Sequence, residues 1–228
     1  MTSYTFPLPA QPELPVTGSE DRFPVRRIFC VGRNYADHVA EMGGSADRDP
    51  PIYFTKSAHA LLQSDEEMPY PPGTEDLHHE IELVVAIGAE ATSVPREAAM
   101  QAVWGYAVGL DMTRRDLQGL AKSGGHPWDT AKDFEASAIV AALTPADGLM
   151  LEEAKIHLAV NGETRQDSPL ANMIWSVPEI VANLSTLYTL RPGDLIMTGT
   201  PAGVGAVKKG DRLEGSVDRL APVRTTIV

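Results

Sequence analysis

An α+β domain dominated by β-structure is what this 228-residue sequence predicts, on three observations. Short apolar segments of strand length recur along the chain, bounded by Gly, Pro, Asn and Asp. Three or four helix patterns are set between them. Strand and helix do not alternate regularly, which argues against a doubly wound sheet or an α/β barrel. With 43% hydrophobic and 22% charged residues the chain can bury one sizeable core. The organisation expected is a proline-rich extended arm over residues 1–24 and a single domain over residues 25–228.

Pro7, Pro9, Pro12, Pro15 and Pro24 define the arm, because repeated proline blocks helices and central strands. Residues 27–31 form a buried strand that Gly32 breaks. A short helix over residues 35–42 follows, ended by Gly43-Gly44. Residues 52–55 form another strand, and residues 70–73 a Pro/Gly turn. Ile81–Ile87 is the clearest strand in the chain. Residues 93–103 suit a helix with Pro95 in its first turn, and residues 104–110 a strand. Thr113-x-x-Asp116 resembles a capping box that opens a helix to residue 122. Lys155–Val160 alternates in polarity, and Asn161-Gly162 is a hairpin turn. Ser176-x-x-Glu179 is a full capping box, with Pro178 in the first turn of a helix reaching residue 187. Residues 191–194 turn into a strand over residues 195–198, and residues 212–228 hold two further strands.

The formal net charge is −12, and no run of Lys or Arg exceeds two residues. A nucleic-acid partner and an anionic membrane surface are both disfavoured. An anionic ligand would need cations gathered locally against this global charge. Cys30 is the sole cysteine, so no intrachain disulfide forms and a cytoplasmic setting is expected. Its neighbours Ile28, Phe29 and Val31 mark it as a buried small hydrophobe rather than a reactive thiol. No stretch is apolar enough to span a bilayer, and the first residues lack the pattern of a secretory signal.

His78-His79-Glu80-Ile81-Glu82 opens the clearest strand. Alternation puts Ile81, Leu83, Val85 and Ile87 on one face and Glu80, Glu82, Val84 and Ala86 on the other. Both faces are apolar further along, so two carboxylates enter the interior side by side. Buried like charges are costly, and a hard cation resolves both problems. Mg²⁺, Mn²⁺ and Ca²⁺ take oxygen ligands, and Asp111, at a strand-to-helix junction, is the third donor. The plainer alternative is a solvated strand end for the two Glu and a turn residue for Asp111. Zinc fits poorly, since no His pair has its usual spacing and the one Cys is isolated.

His38 and Glu41 are three residues apart on the short helix and share a face. A carboxylate on one imidazole nitrogen orients the ring and lets the other take a proton from water. The alternative is a surface ion pair. The helix follows the polar loop Gly32-Arg33-Asn34-Tyr35, which suits a lid that delivers a base. Lys132 and Lys56, each beside apolar or aromatic residues, could neutralise a substrate carboxylate or a developing enolate. Each could equally be a solvated lysine. The Gly-rich loop from Thr198 to Gly205 lacks the Lys-Ser/Thr of a P-loop. Its amides and the Thr200 hydroxyl could bind a carboxylate or carbonyl, or it could be a structural turn. No Gly-x-Ser-x-Gly elbow is present.

Together these segments resemble the fumarylacetoacetate hydrolase family, and closely its short acylpyruvase-type members. The resemblance rests on Cys30-Val31-Gly32-Arg33-Asn34-Tyr35-Ala36-Asp37-His38, His79-Glu80-Ile81-Glu82-Leu83, Gly109-Leu110-Asp111-Met112-Thr113-Arg114-Arg115-Asp116-Leu117-Gln118, Ala131-Lys132-Asp133-Phe134, and Gly193-Asp194 through Val204-Gly205. It implies a mixed β-sandwich roll with a few peripheral helices, usually a homodimer. It implies Mg²⁺ or Mn²⁺ on Glu80, Glu82 and Asp111, a lid dyad at His38 and Glu41, and Lys132 near the substrate. Arg33, Gln118 and Thr200 are similar to its substrate-contacting positions. Lys56-Ser57 departs from the Lys-Pro of many relatives. The activity implied is hydrolysis of a carbon–carbon bond in a small anionic 2,4-dioxo acid, with fumarylpyruvate the favoured substrate. Oxaloacetate decarboxylation or isomerisation of an unsaturated dioxo acid would use the same site. A metal-dependent binding module for 2-oxo acids would need the three carboxylates but no base on a lid.

Overall fold

Strand Ile81–Ile87 is buried along its whole length. Ile81, Leu83, Val85 and Ile87 enter one apolar core, and Val84 and Ala86 enter a second. Side chains alternate across a strand, so a strand apolar on both faces needs cover on each side. The computed structural model, which describes residues 3–41, 49–151 and 153–228, supplies both covers.

This strand lies in the middle of a mixed sheet. The spatial order is Ile52–Lys56, Arg27–Gly32, Asp194–Met197, Ile81–Ile87, Val103–Asp111, Ala138–Val140 and Leu61–Gln63, and Thr144–Pro145 also pairs with Val103–Asp111. Arg27–Gly32 runs parallel to Asp194–Met197, and Ala138–Val140 parallel to Leu61–Gln63; the other pairings are antiparallel. An antiparallel sheet of Glu163–Pro169, Lys155–Val160, Arg212–Val217 and Val223–Thr226 covers the first face. Ile156, Leu158, Leu213, Val217 and Val223 from that sheet share the core of Ile81, Leu83 and Val85. The result is the mostly β, α+β body that the sequence predicts, arranged as the mixed sandwich roll that the resemblance implies.

The second face is covered from the N-terminal segment. Glu13–Pro15 pairs with Arg22–Pro24, and Leu14, Val16, Phe23 and Val25 pack with Cys30, Val84 and Ala86. The arm thus has two parts: residues 3–10 run exposed, whereas residues 11–24 include a hairpin that closes a core. Pro15 and Pro24 sit at strand ends, where a missing amide costs the ladder nothing.

The short helix expected over residues 35–42 is Ala36–Glu41, and Gly43-Gly44 lies outside the described residues. The Asn161-Gly162 hairpin forms with both residues at positive φ, as a primed turn requires. Helix Val177–Leu187 forms with Glu179 accepting the Ser176 amide. Two expectations change. The helix expected over residues 93–103 contracts to Arg96–Ala99 and a 3₁₀ turn Met100–Ala102, because the Ala102 carbonyl is taken by the Gly88 and Ala89 amides. The Thr113 capping box does not form. Thr113 pairs with His78 in a short ribbon and its hydroxyl donates to the Asp111 carbonyl, while Asp116 accepts from Thr74 and Glu75. The helix therefore starts at Arg115 and ends at Gly124. Among the described residues no helix is long and apolar enough to cross a membrane.

Candidate metal and active site

The sheet register brings the three carboxylates together. Glu82 pairs with Gly109, Ile81 with Leu110, and the Asp111 amide donates to the Glu80 carbonyl. Glu80, Glu82 and Asp111 are all buried, and each presents an oxygen within 4.8 Å of the others. Gly109 leaves room across the strand: a Cβ there would meet Val84 at 2.7 Å.

Their surroundings differ. Lys132 donates to both Glu80 and Asp111 at 2.7 Å, and Arg115 pairs with Glu80. Burial works to raise the Glu80 carboxyl, but Lys132 and then Arg115 outweigh it and hold it well below the usual range. Burial works against the Lys132 ammonium too, yet Asp111 and Glu80 hold it above the ordinary lysine value. Glu82 accepts the Gly199 amide at 2.7 Å and, among the described residues, has no ion-pair partner. Burial, then Asp111 and Glu80, push its carboxyl well above the usual range. Asp111 Oδ1 lies 2.9 Å from the Lys56 ammonium but takes no hydrogen bond of good geometry. Three buried carboxylates, one of them without a paired cation among the described residues, and an all-oxygen donor set fit a hard divalent ion such as Mg²⁺ or Mn²⁺.

Lys56 stands behind this cluster. It is buried, pairs with Asp111, and donates to the carbonyls of Met112 and Lys132. Its ammonium thus faces a carboxylate of the cluster from behind. Cys30 is fully buried, and burial pushes its thiol well above the ordinary value, so it stays protonated and inert.

A small cleft of about 40 Å³ is lined by Glu80, Glu82, Lys132, His38, Arg33, Gln118 and Thr200 among others. His38 Nδ1 lies 3.3 Å from Glu41, whose carboxylate also accepts the Gly203 amide at 3.1 Å. A carboxylate only accepts, so Nδ1 carries the hydrogen and Nε2 is the free base. Burial pushes the imidazole below its ordinary value, against the opposite pull of Glu80 and of its bond to Glu41. Gln118 accepts from Arg115 at 2.6 Å through its oxygen, which leaves its amide hydrogens to other acceptors.

Five contributors went unread in the sequence. Asn34, fully buried, donates to the carbonyls of Thr198 and Trp175 and pins the loop before helix Ala36–Glu41. Gln166 donates to the Thr200 hydroxyl and accepts from Ile81 and His79, joining the metal strand to the Gly-rich loop. Arg115, Lys122 and Trp128 line the cleft. Arg115 and Lys122 had a readable sign, because with Gln118 they fall at i, i+3 and i+7 on one helix face. Asn34 and Gln166 had none, since their partners are more than 30 residues away.

A buried oxygen-donor cluster beside a His–Glu pair, carried by a mixed β-sandwich roll, defines a metal-dependent enzyme class. Residues 27–228 match the family described as fumarylacetoacetate (FAA) hydrolase C-terminal. The chain belongs to the fumarylacetoacetate hydrolase family. It is 47% identical over 188 residues to a fumarylpyruvate hydrolase of Ralstonia sp., covering 82% of this chain and 98% of that one. It is 45% identical over 196 residues to the mitochondrial oxaloacetate tautomerase FAHD1 of Homo sapiens, covering 86% and 88%. The crystal structure of fumarylpyruvate hydrolase from Pseudomonas aeruginosa in complex with Mn²⁺ and pyruvate superposes with a TM-score of 0.97, at 47% identity and 99% coverage of each chain.

Proposed function

We propose that this chain is a divalent-metal-dependent hydrolase that cleaves the carbon–carbon bond of an acylpyruvate, with fumarylpyruvate the favoured substrate. The observation that carries the reading is one cleft lined by Glu80 and Glu82 of the carboxylate cluster and by His38 of the dyad. The similarity to fumarylpyruvate hydrolases supports the substrate. Glu80, Glu82 and Asp111 would hold Mg²⁺ or Mn²⁺, which when bound supplies Lewis-acid charge for the 2-oxo acid end.

The protein's own groups account for the proton movements. His38, oriented by Glu41, takes a proton from water at Nε2, and the water oxygen bonds to the distal acyl carbon. The bond from that carbon to the neighbouring methylene breaks. Its electron pair stays on the three-carbon fragment, which takes a proton and leaves as pyruvate; the acyl part leaves as its acid. The Lys132 ammonium and the Gln118 amide hydrogens stabilise negative charge that develops on the carbonyl oxygens. Lys56 fixes Asp111, and Arg33 and Thr200 contact the substrate from the rim and the Gly-rich loop.

A second reading, oxaloacetate tautomerisation, is favoured by relatives of that name at 39–45% identity. There His38 would move a proton within the substrate and no water would be consumed. A panel of fumarylpyruvate, acetylpyruvate and oxaloacetate with Mg²⁺ separates the two. Hydrolysis gives stoichiometric pyruvate from an acylpyruvate; enol–keto exchange of oxaloacetate without pyruvate release from any acylpyruvate would overturn the hydrolase assignment. His38→Ala should lower hydrolysis by about 10²–10⁴-fold, the usual worth of a general base. Mn²⁺ binding should survive in that variant.

A further inference from the structure

The cleft holds four cationic residues: Arg33, Arg115, Lys122 and Lys132. In a chain of net charge −12 they form the local concentration of positive charge that an anionic ligand needs. Two of the four have counter-charges inside the protein. Lys132 pairs with Glu80 and Asp111, and Arg115 with Glu80. Among the described residues, neither Lys122 nor Arg33 has a carboxylate within ion-pair distance.

Lys122 lies on helix Arg115–Gly124, on the face that carries Arg115 and Gln118, and is half-buried. Its ammonium lies 5.3 Å from the centroid of the Trp128 ring, a cation–π contact that holds it at the cleft. Burial, then Arg115, push its pKa down to about 8, which is the condition of a cation set among cations with no anion of its own. Arg33 is at the rim in the left-handed region at φ 59, a conformation uncommon for a residue with a Cβ. Strain of this kind persists where surrounding structure holds it, and often marks a ligand site. Val39, Phe54 and Trp128 line the same cleft and offer apolar and aromatic walls to a planar carbon chain.

We propose that Lys122, with Arg33 beside it at the rim, forms a subsite for a second carboxylate at the acyl end of the substrate, and so selects dicarboxylic over monocarboxylic 2,4-dioxo acids. This rests on the assignment of the cleft to dioxo acids and adds the determinant of their far end. A hydrogen-bonded charge pair in a partly buried site discriminates by about 1.5–3 kcal/mol, or roughly 10–100-fold.

The test compares fumarylpyruvate, with a distal carboxylate, and acetylpyruvate, with a distal methyl. Both kcat/KM and calorimetric Kd are measured on the Mn²⁺-loaded protein. In Lys122→Met the preference for fumarylpyruvate should fall by about tenfold or more on both measures, and Lys122→Arg should keep most of it. Arg33→Gln, at an exposed position, should lower the preference in the same direction with an unchanged melting temperature. An unchanged preference in Lys122→Met, or equal losses in the Met and Arg variants, would overturn the subsite. A wild-type chain that binds both acids without cleaving them would remove the hydrolase assignment alone, and the Kd ratio would still decide on Lys122. A wild-type chain that binds neither acid would remove both.

Discussion

Glu41 accepts the backbone amide of Gly203 at 3.1 Å while the same carboxylate oxygen faces His38 at 3.3 Å. The Gly-rich loop therefore holds Glu41, and Glu41 holds the His38 ring. In the proposed hydrolysis His38 acts in its neutral form. Burial lowers its pKa, and the bond to Glu41 raises it. The acid limb of kcat/KM should have its midpoint below the ordinary imidazole value of about 6.5. Glu41→Gln removes an anion that favours the protonated ring, so the limb should move to still lower pH while kcat falls. A bound divalent cation acts in the same direction. A pH–rate profile of the two enzymes checks this, and a limb that moves to higher pH in Glu41→Gln would contradict it.

Gly203 tests the same connection from the loop side. Its φ is +94, and a Cβ would lie 2.0 Å from the Arg165 carbonyl oxygen. Backbone cannot yield there as a flexible side chain can, so Gly203→Ala must shift the amide that Glu41 uses. A displacement on the order of 1 Å in a catalytic group costs about 10²-fold, and that is the expected loss in kcat/KM. Gly119→Ala is the control, because nothing lies within 4 Å of its Cβ on the helix Arg115–Gly124. It should stabilise the fold by about 0.5–1 kcal/mol through helix propensity.

Asp194 sets the start of its strand by charge. Fully buried, it accepts from Arg26, from Nε and Nη2 of Arg27 and from the Arg191 amide. Asp194→Asn keeps the shape and removes the charge these partners face. Both arginines are partly exposed, which moderates the cost, so a loss of about 2–4 kcal/mol is expected. For a chain of this length that is a fall in Tm of roughly 4–16 °C. Thermal unfolding in low and high salt measures it, and a shift under one degree would show the pairs to be idle.

Local chemistry made most of this legible in advance. Ile81–Ile87 was readable because alternation alone separates its two cores. Glu80, Glu82 and Asp111 were readable because buried like charges need a partner. What the sequence hides is contact between distant segments. Thr113 looks like a cap until the ribbon with His78 claims it. Leu14 and Phe23 read only as part of an extended arm, loose or laid along the body, until the second face of the sheet is found to need a cover. Lys56 could be a ligand contact or a solvated lysine on sequence alone, and only the fold shows it buried against Asp111.

That last position yields a prediction in which stability and metal affinity move in opposite directions. Lys56→Met removes one cation from Asp111 and one donor from the carbonyls of Met112 and Lys132, of which Lys132 keeps the Ser137 hydroxyl. Breaking a buried pair by deleting one partner costs about 3–5 kcal/mol, so the metal-free variant should melt well below the wild type. The same deletion lifts a repulsive charge from beside the carboxylate cluster. By Coulomb's law the cluster then attracts a divalent ion more strongly. Mn²⁺ should therefore bind Lys56→Met at least as tightly as it binds the wild type. Binding to the folded state alone stabilises by RT ln(1 + [L]/Kd), so saturating Mn²⁺ should recover more of the lost Tm in the variant than it adds to the wild type. Calorimetry with Mn²⁺ and melting curves with and without EDTA measure both quantities. A weaker Mn²⁺ affinity in Lys56→Met would mean that the lysine serves chiefly to aim Asp111, and that geometry outweighs charge at this cluster.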